Sequence, residues 1–147
     1  MLIREMRPED VGDVTRGERL VEETPWHRGD ILDALREGWW CVVGEIDGEV
    51  VSWAIMRAVL DESELLTIGV MPDAQRRGIG EATLRALLDK MKDEHITQCF
   101  LEVRESNIRA QNLYRKCGFV KVGVRKDYYR LGEGRENAIL MRYERGN

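Results

Sequence analysis

Gln75-Arg76-Arg77-Gly78-Ile79-Gly80 is a glycine-rich, cationic turn set between an apolar strand and an amphipathic helix. The strand runs from Leu65 to Val70 and is closed by Met71-Pro72. The helix starts near Gly80 and carries Leu84, Leu87, Leu88 and Met91 on one apolar stripe. The first N–H groups of a helix have no internal partner, and the aligned peptide dipoles place partial positive charge there, so an anion satisfies both. Gly78 and Gly80 leave the main chain uncovered for close approach, while Arg76 and Arg77 add full charges. The turn reads as a phosphate cradle, against the competing reading of an ordinary helix entry with a solvated arginine pair.

Two other phosphate loops fail on these residues. A dinucleotide fingerprint needs a third glycine and an acidic residue on the following strand to hold ribose, and neither stands at the required place. A Walker-type loop needs Gly-Lys followed by Ser or Thr, whereas Gly80 is followed by Glu81. Hydride transfer and nucleotide hydrolysis therefore lose ground.

Outward from the turn, the chain alternates helix and strand signals. Leu2 to Met6 alternates as a strand, and Pro8 opens a helix that carries Val11 and Val14 and extends to about Glu22. After Thr24-Pro25, a second helix is predicted with Asp30 as its cap, burying Ile31, Leu32 and Leu35. Trp39 to Ile46 and Glu49 to Val59 read as strands joined by Asp47-Gly48, a two-residue hairpin signal. Asp61-Glu62-Ser63 turns into the strand before the cradle. Strand, cradle, helix and the strand Gln98 to Val103 form a βαβ unit, whose two strands should be parallel. A helix from about Ile108 to Lys116 stops at Gly118, and strands Val120 to Arg125 and Asn137 to Tyr143 close the sheet. The fold class is α/β, a mixed and mostly antiparallel sheet around one central parallel pair.

Composition sets further limits. A chain of 147 residues with 43% apolar content buries one substantial core, so residues 1–147 read as a single domain. The net charge of −4, from 23 basic and 27 acidic side chains, offers no general attraction to nucleic acid or to an anionic membrane. The apolar runs are far short of a membrane span, and Arg4, Glu5, Arg7 and Glu9 interrupt any signal-peptide core, which places the protein in the cytoplasm. Cys41, Cys99 and Cys117 match no zinc or CxxC spacing and read as reduced, buried thiols. His27 and His95 have no metal-ligand spacing, and no metal is called for.

Gln75, Gly78 and Gly80 fit the pyrophosphate loop of the Gcn5-related N-acetyltransferase (GNAT) family, which reads Gln or Arg, two residues, Gly, one residue, Gly or Ala. The resemblance continues through Ile68-Gly69-Val70, Leu101-Glu102-Val103-Arg104, Ser106-Asn107, Ala110, Leu113-Tyr114 and Gly118-Phe119, and covers essentially the whole chain. Together with Pro25-Trp26, Tyr128-Tyr129 and Gly134 to Met141, these segments are similar to the ribosomal-protein-alanine N-acetyltransferases. The resemblance implies the acyl-CoA N-acyltransferase fold and acetyl-CoA as co-substrate. It implies that the strand ending at Ile68, Gly69 and Val70 separates from its parallel neighbour, freeing main-chain groups to hold the pantetheine arm and polarise the thioester carbonyl, with Arg76, Arg77, Gly78, Ile79, Gly80 and Glu81 wrapping the pyrophosphate. Gly69 stands where this subgroup often has Ala, a change read as a slight loosening of the strand. Asn107 reads as a helix cap, and the resemblance adds a contact to coenzyme A.

Acyl transfer to an amine needs an unprotonated nitrogen, yet a terminal α-amine with a pKa of about 8 is mostly charged at neutral pH. Glu102 is the candidate base. It shares a strand face with Phe100, opposite Cys99, Leu101 and Val103, and a carboxylate among apolar neighbours gains proton affinity. A solvated or paired strand glutamate is the bland alternative, and the resemblance favours the base. Tyr114 is the candidate acid for the departing thiolate, on the helix whose Ala110, Leu113 and Cys117 mark the buried stripe. A core aromatic is its alternative. For the acceptor, the resemblance implies the N-terminal amine of a protein, alanine on a small-subunit ribosomal protein. That peptide would enter near Trp26, Tyr128, Tyr129 and Glu136, which otherwise read as packing and surface residues. A small amine such as a polyamine or an antibiotic amine, or a non-catalytic acyl-CoA-sensing module, are the other readings.

Overall fold

A computed structural model describes residues 1–146. Strand β1 (Leu2–Glu5) leads through a 3-10 turn at Pro8–Asp10 into α1 (Val11–Val21) and α2 (Arg28–Arg36). Strands β2 (Trp40–Ile46), β3 (Glu49–Val59) and β4 (Glu62–Val70) follow as an antiparallel run. A 3-10 turn at Pro72–Ala74 precedes α3 (Ile79–Asp93), β5 (Gln98–Arg104), α4 (Ile108–Lys116), β6 (Val120–Leu131) and β7 (Gly134–Glu144). The described residues form one seven-stranded sheet in the order β1-β2-β3-β4-β5-β7-β6, in which only β4 and β5 run parallel. The mixed, mostly antiparallel sheet with a central parallel pair is the fold class that the sequence implied.

Alternation along β3 explains how the sheet holds two helical layers. Trp53 and Ile55 point to the face covered by α1 and α2, where Val11, Val14 and Ile31 are fully buried. Ala54 and Met56 point to the other face, where Leu84, Leu87 and Met91 of α3 pack with Tyr114 of α4 and Cys117 just after it. The three cysteines are free and buried, and burial pushes the thiols of Cys41 and Cys99 up to about 11, which suits packing rather than reactivity.

Several boundaries differ from the sequence reading. Strand β4 begins at Glu62, because the chain reverses at Leu60-Asp61, where Leu60 takes the left-handed conformation. Asp30 is not the cap of α2: His27 holds that position, and Asp30, three residues on, accepts the His27 main-chain N–H at 2.9 Å. The fully buried residues of α2 are Ile31 and Ala34, with Leu32 and Leu35 only half-buried. Strands β6 and β7 are a long hairpin that includes Tyr128 and Tyr129 and turns at 132–133, well beyond the Arg125 limit expected for β6. Its polar, exposed sequence concealed the strand, since an edge strand beyond the helical layer has no apolar face to bury.

Candidate active site

Strands β4 and β5 are paired only at Glu62 with Gln98, Ser63 with Cys99 and Glu64 with Phe100. Beyond them β4 carries a bulge at Leu66, between Leu65 and Thr67, and no longer pairs with β5. Its main-chain groups from Ile68 to Val70 therefore line an open cleft of about 770 Å³ between the strands. The cradle continues this wall. Gly78 has φ +75°, a conformation that L side chains rarely adopt, and an added Cβ there would meet open space. The first main-chain donor of α3 with an internal partner is Ala82, which bonds Gly78 O at 3.1 Å, so the preceding N–H groups face the cleft unspent. Gln75 braces the turn: its Nε2 donates to Val70 O at 3.1 Å, and its Oε1 accepts from Arg109 of α4 at 2.7 Å. Glu81 is neutralised by Arg85 at 2.9 Å and Lys116 at 3.0 Å, and the Arg85 hydrogen bond chiefly holds its carboxyl below the usual range. The row of free N–H groups, the open glycine and the neutralised acid fit a pyrophosphate with an extended amide-containing arm.

The facing wall is made of side chains. Glu102 on β5 forms an ion pair with Arg125 of β6 at 3.2 Å, and Arg125 also lies 4.3 Å from the centre of the Tyr128 ring. This polar partner replaces the apolar surroundings expected around Glu102. Tyr114 is 8% exposed and reaches the cleft from α4, and burial pushes its hydroxyl above the ordinary phenol range. Tyr129 also lines the cleft; burial and then the Glu102 charge push it up to about 12. Below this wall Glu18 of α1 is fully buried. Its Oε2 accepts from Trp53 Nε1 and Thr67 Oγ1, each at 2.7 Å, and its Oε1 accepts the Trp26 main-chain N–H at 2.8 Å. Three donors satisfy a group that would otherwise be expensive to bury, and they fasten the segment after α1 to β3 and β4.

Residues 5–119 match the acetyltransferase (GNAT) family. The chain belongs to that family. It is 42% identical over 95 residues to the [ribosomal protein bS18]-alanine N-acetyltransferase of Escherichia coli K12, a match that spans 65% of this chain and 64% of the relative. The counterpart of the same name from Salmonella typhimurium is 35% identical over 124 residues, 84% of each chain. The crystal structure of the ribosomal-protein-S18-alanine N-acetyltransferase from Escherichia coli superposes with a TM-score of 0.91 at 32% identity, covering 97% of this chain and 92% of that one.

Within this GNAT chain the cleft brings together most of the residues picked out in the sequence. Ile68, Gly69, Val70, Gln75, Arg76, Gly78, Ile79, Gly80, Glu81, Glu102, Asn107, Tyr114, Trp26 and Tyr129 all line it. Asn107 caps α4, its Oδ1 accepting from Ala110 N at 3.1 Å. Arg77, Tyr128 and Glu136 lie outside the lining. Glu136 was expected near the acceptor, but its carboxylate is buried and bound to Arg104 at 3.1 Å and Ser106 N at 3.0 Å, so it ties β7 to β5. Gly69 is more than a loosened strand position. Trp53 stands opposite it, and a Cβ on Gly69 or on Gly17 of α1 would run into the indole ring.

Glu18, Glu22, Thr67, Arg104 and Arg125 were not singled out from sequence. A signal existed for Glu18: it follows Val11 by seven positions and Val14 by four, so it sits on the apolar stripe of its helix. A carboxylate on such a stripe demands buried partners. Nothing in the sequence marks Arg125 as the partner of Glu102, because that pairing arises from the register of two strands joined through β7. Among the described residues, no group of three or more His, Cys, Asp or Glu side chains is placed to hold a metal ion, and no helix is long and apolar enough to cross a membrane.

Proposed function

We propose that this chain transfers the acetyl group of acetyl-CoA to the N-terminal α-amine of a protein, an alanine on a small-subunit ribosomal protein, without a covalent enzyme intermediate. The observation that carries the reading is the parting of β4 from β5, which opens a main-chain wall next to Glu102 and Tyr114 in one cleft. The names borne by the bS18-alanine N-acetyltransferase relatives support the acceptor. Bound along Ile68–Val70 and the 75–81 turn, acetyl-CoA supplies an activated thioester. Gly78, Ile79 and Gly80 offer main-chain N–H groups to its pyrophosphate, and Arg76 adds charge. Glu102 takes a proton from the attacking nitrogen, directly or through water. Tyr114, whose raised pKa keeps its hydroxyl protonated at neutral pH, donates to the departing sulfur. Trp26 and Tyr129, which both line the cleft, contact the acceptor in this reading. No metal enters this chemistry, and a ribosomal-protein acceptor places the enzyme in the cytoplasm.

The test is a competition for acetyl-CoA between peptides with a free N-terminal alanine and a panel of small amines, read by mass spectrometry. Acetylation of the peptide α-amine alone is the result expected. Preference for a small amine keeps the chemistry and overturns the acceptor.

A further inference from the structure

An amine that enters as an ammonium gives up two N–H protons before it becomes an amide, and Glu102 accounts for one of them. Glu22 is placed for the other. It follows the end of α1, one turn beyond Glu18, and its side chain lines the same cleft as Glu102 and Tyr114. Among the described residues its carboxylate has no hydrogen-bond partner, whereas Glu102 is paired with Arg125 and Glu81 with Arg85 and Lys116. The charged and titratable groups around Glu22 are Glu18 from α1, Arg104 from β5, Tyr114 from α4 and Tyr129 from β6. Arg104, the cation among them, is already engaged by Glu136 at 3.1 Å, by Arg130 O at 2.8 Å and by Thr24 Oγ1 at 2.9 Å. Glu23, the next residue, also borders the cleft but is exposed to solvent, whereas Glu22 is half-buried.

We propose that Glu22 is a second proton acceptor in the reaction, taking the first proton from the incoming ammonium before Glu102 takes the other. This deepens the amine-acetyltransferase reading and rests on it. The first N–H proton passes to a Glu22 oxygen and leaves the electron pair on nitrogen. That pair forms the C–N bond, the C–S bond breaks with its electrons on sulfur, and sulfur takes a proton from Tyr114. The second nitrogen proton goes to Glu102 and from there restores the Tyr114 hydroxyl, while the Glu22 proton passes to water. One proton is released per acetyl transferred, as the overall exchange of ammonium and thioester for amide and thiol requires. Burial, and then the charge of Glu18, push the Glu22 carboxyl up to about 7 against the pull of Arg104, close to the range of an α-amine.

The experiment compares kcat/KM for wild type, Glu22→Gln, Glu22→Asp and Glu37→Gln at about pH 6.5 and about pH 9, on either side of the α-amine pKa of about 8. Glu22→Gln should fall about tenfold or more at the lower pH and come within about twofold of wild type at the higher, where the amine arrives neutral. Glu22→Asp, which keeps a carboxylate, should narrow the gap between the two pH values, and Glu37→Gln, at an exposed position outside the cleft lining, should match wild type at both. A deficit of equal size at both pH values, or no deficit, overturns the role of Glu22. If wild type modifies small amines and not peptides, the acceptor assignment fails, and the same comparison on that amine, run on either side of its own pKa, decides Glu22 separately. Absence of transfer to any amine overturns both.

Discussion

On the wall formed by β4, the 75–78 turn and the start of α3, the unspent groups are main-chain N–H and C=O, joined by the Arg76 side chain. On the facing wall the groups are side chains drawn from four elements: Glu22 after α1, Glu102 on β5, Tyr114 on α4 and Tyr129 on β6. The first wall depends on where the chain is left unpaired and where a side chain is missing, so a local run of glycines and a strand bulge produce it. The second depends on the register of distant strands and on the buried Glu18 hydrogen bonds that fasten the segment carrying Glu22. In the proposed reaction, binding belongs to the first wall and proton transfer to the second, so substitutions on the two should separate affinity from turnover.

The largest effect should follow from Glu18→Ala. It strands the Trp53 indole N–H, the Thr67 hydroxyl and the Trp26 main-chain N–H inside the protein, and should cost about 3–5 kcal/mol in urea unfolding. A loss below about 1 kcal/mol would mean that the segment after α1 does not depend on this carboxylate. Glu102→Gln should lower kcat by about 10²-fold while leaving the acetyl-CoA Kd within about twofold, because it alters only the side-chain wall. A parallel fall in affinity would join the two walls. Gly69→Ala should cost about 1–3 kcal/mol, since the added methyl meets the Trp53 ring across the strand pair. Combined with Trp53→Phe, most of that loss should disappear in a double-mutant cycle, and simple additivity would contradict the contact.

A smaller effect concerns pH. The Glu22 carboxyl stands near 7 in the folded protein and returns to about 4.3 when unfolded, so folding takes up a proton between those values. Stability contributed by the neutral form is present below about pH 4 and is lost as pH rises through 7. Glu22→Gln should therefore be more stable than wild type by about 1–2 kcal/mol above pH 8, with the difference fading toward pH 4. Equal stability across that range would place Glu22 in ordinary solvent. Smallest of all, Arg77→Ala should change the KM for acetyl-CoA by no more than about threefold, because Arg77 lies outside the cleft lining and screened surface charge contributes little. A larger change would bring it onto the binding wall.

The contrast between the walls also explains what the sequence disclosed. The turn from Gln75 to Gly80 and its free N–H groups were legible because a glycine-rich helix entry leaves a local mark: small residues, a helix start and positive charge within a few positions. The alternation that places Glu102 opposite Leu101 and Val103 was legible for the same local reason, and the βαβ order made β4 and β5 neighbours. Their separation was implied by the family resemblance alone, since it follows a single bulge at Leu66 and Leu65-Leu66-Thr67 carries no turn residue. The Glu102–Arg125 pair joins positions 23 apart through a third strand, and the Glu18 hub joins α1 to β3 and β4. Such contacts depend on the assembled sheet. The exposed edge strand β6 was cut short because edge strands lack the apolar rhythm that marks strands in the core.

The division between the walls is tested most directly by amide NMR of the protein with coenzyme A, followed by a peptide bearing a free N-terminal alanine. Coenzyme A should shift the amides of Ile68–Val70 and Gly78–Ala82, and the peptide should then shift those of Val21–Trp26, Glu102 and Tyr129. Coenzyme A shifts concentrated on the second set, with the 78–82 amides unmoved, would contradict the account.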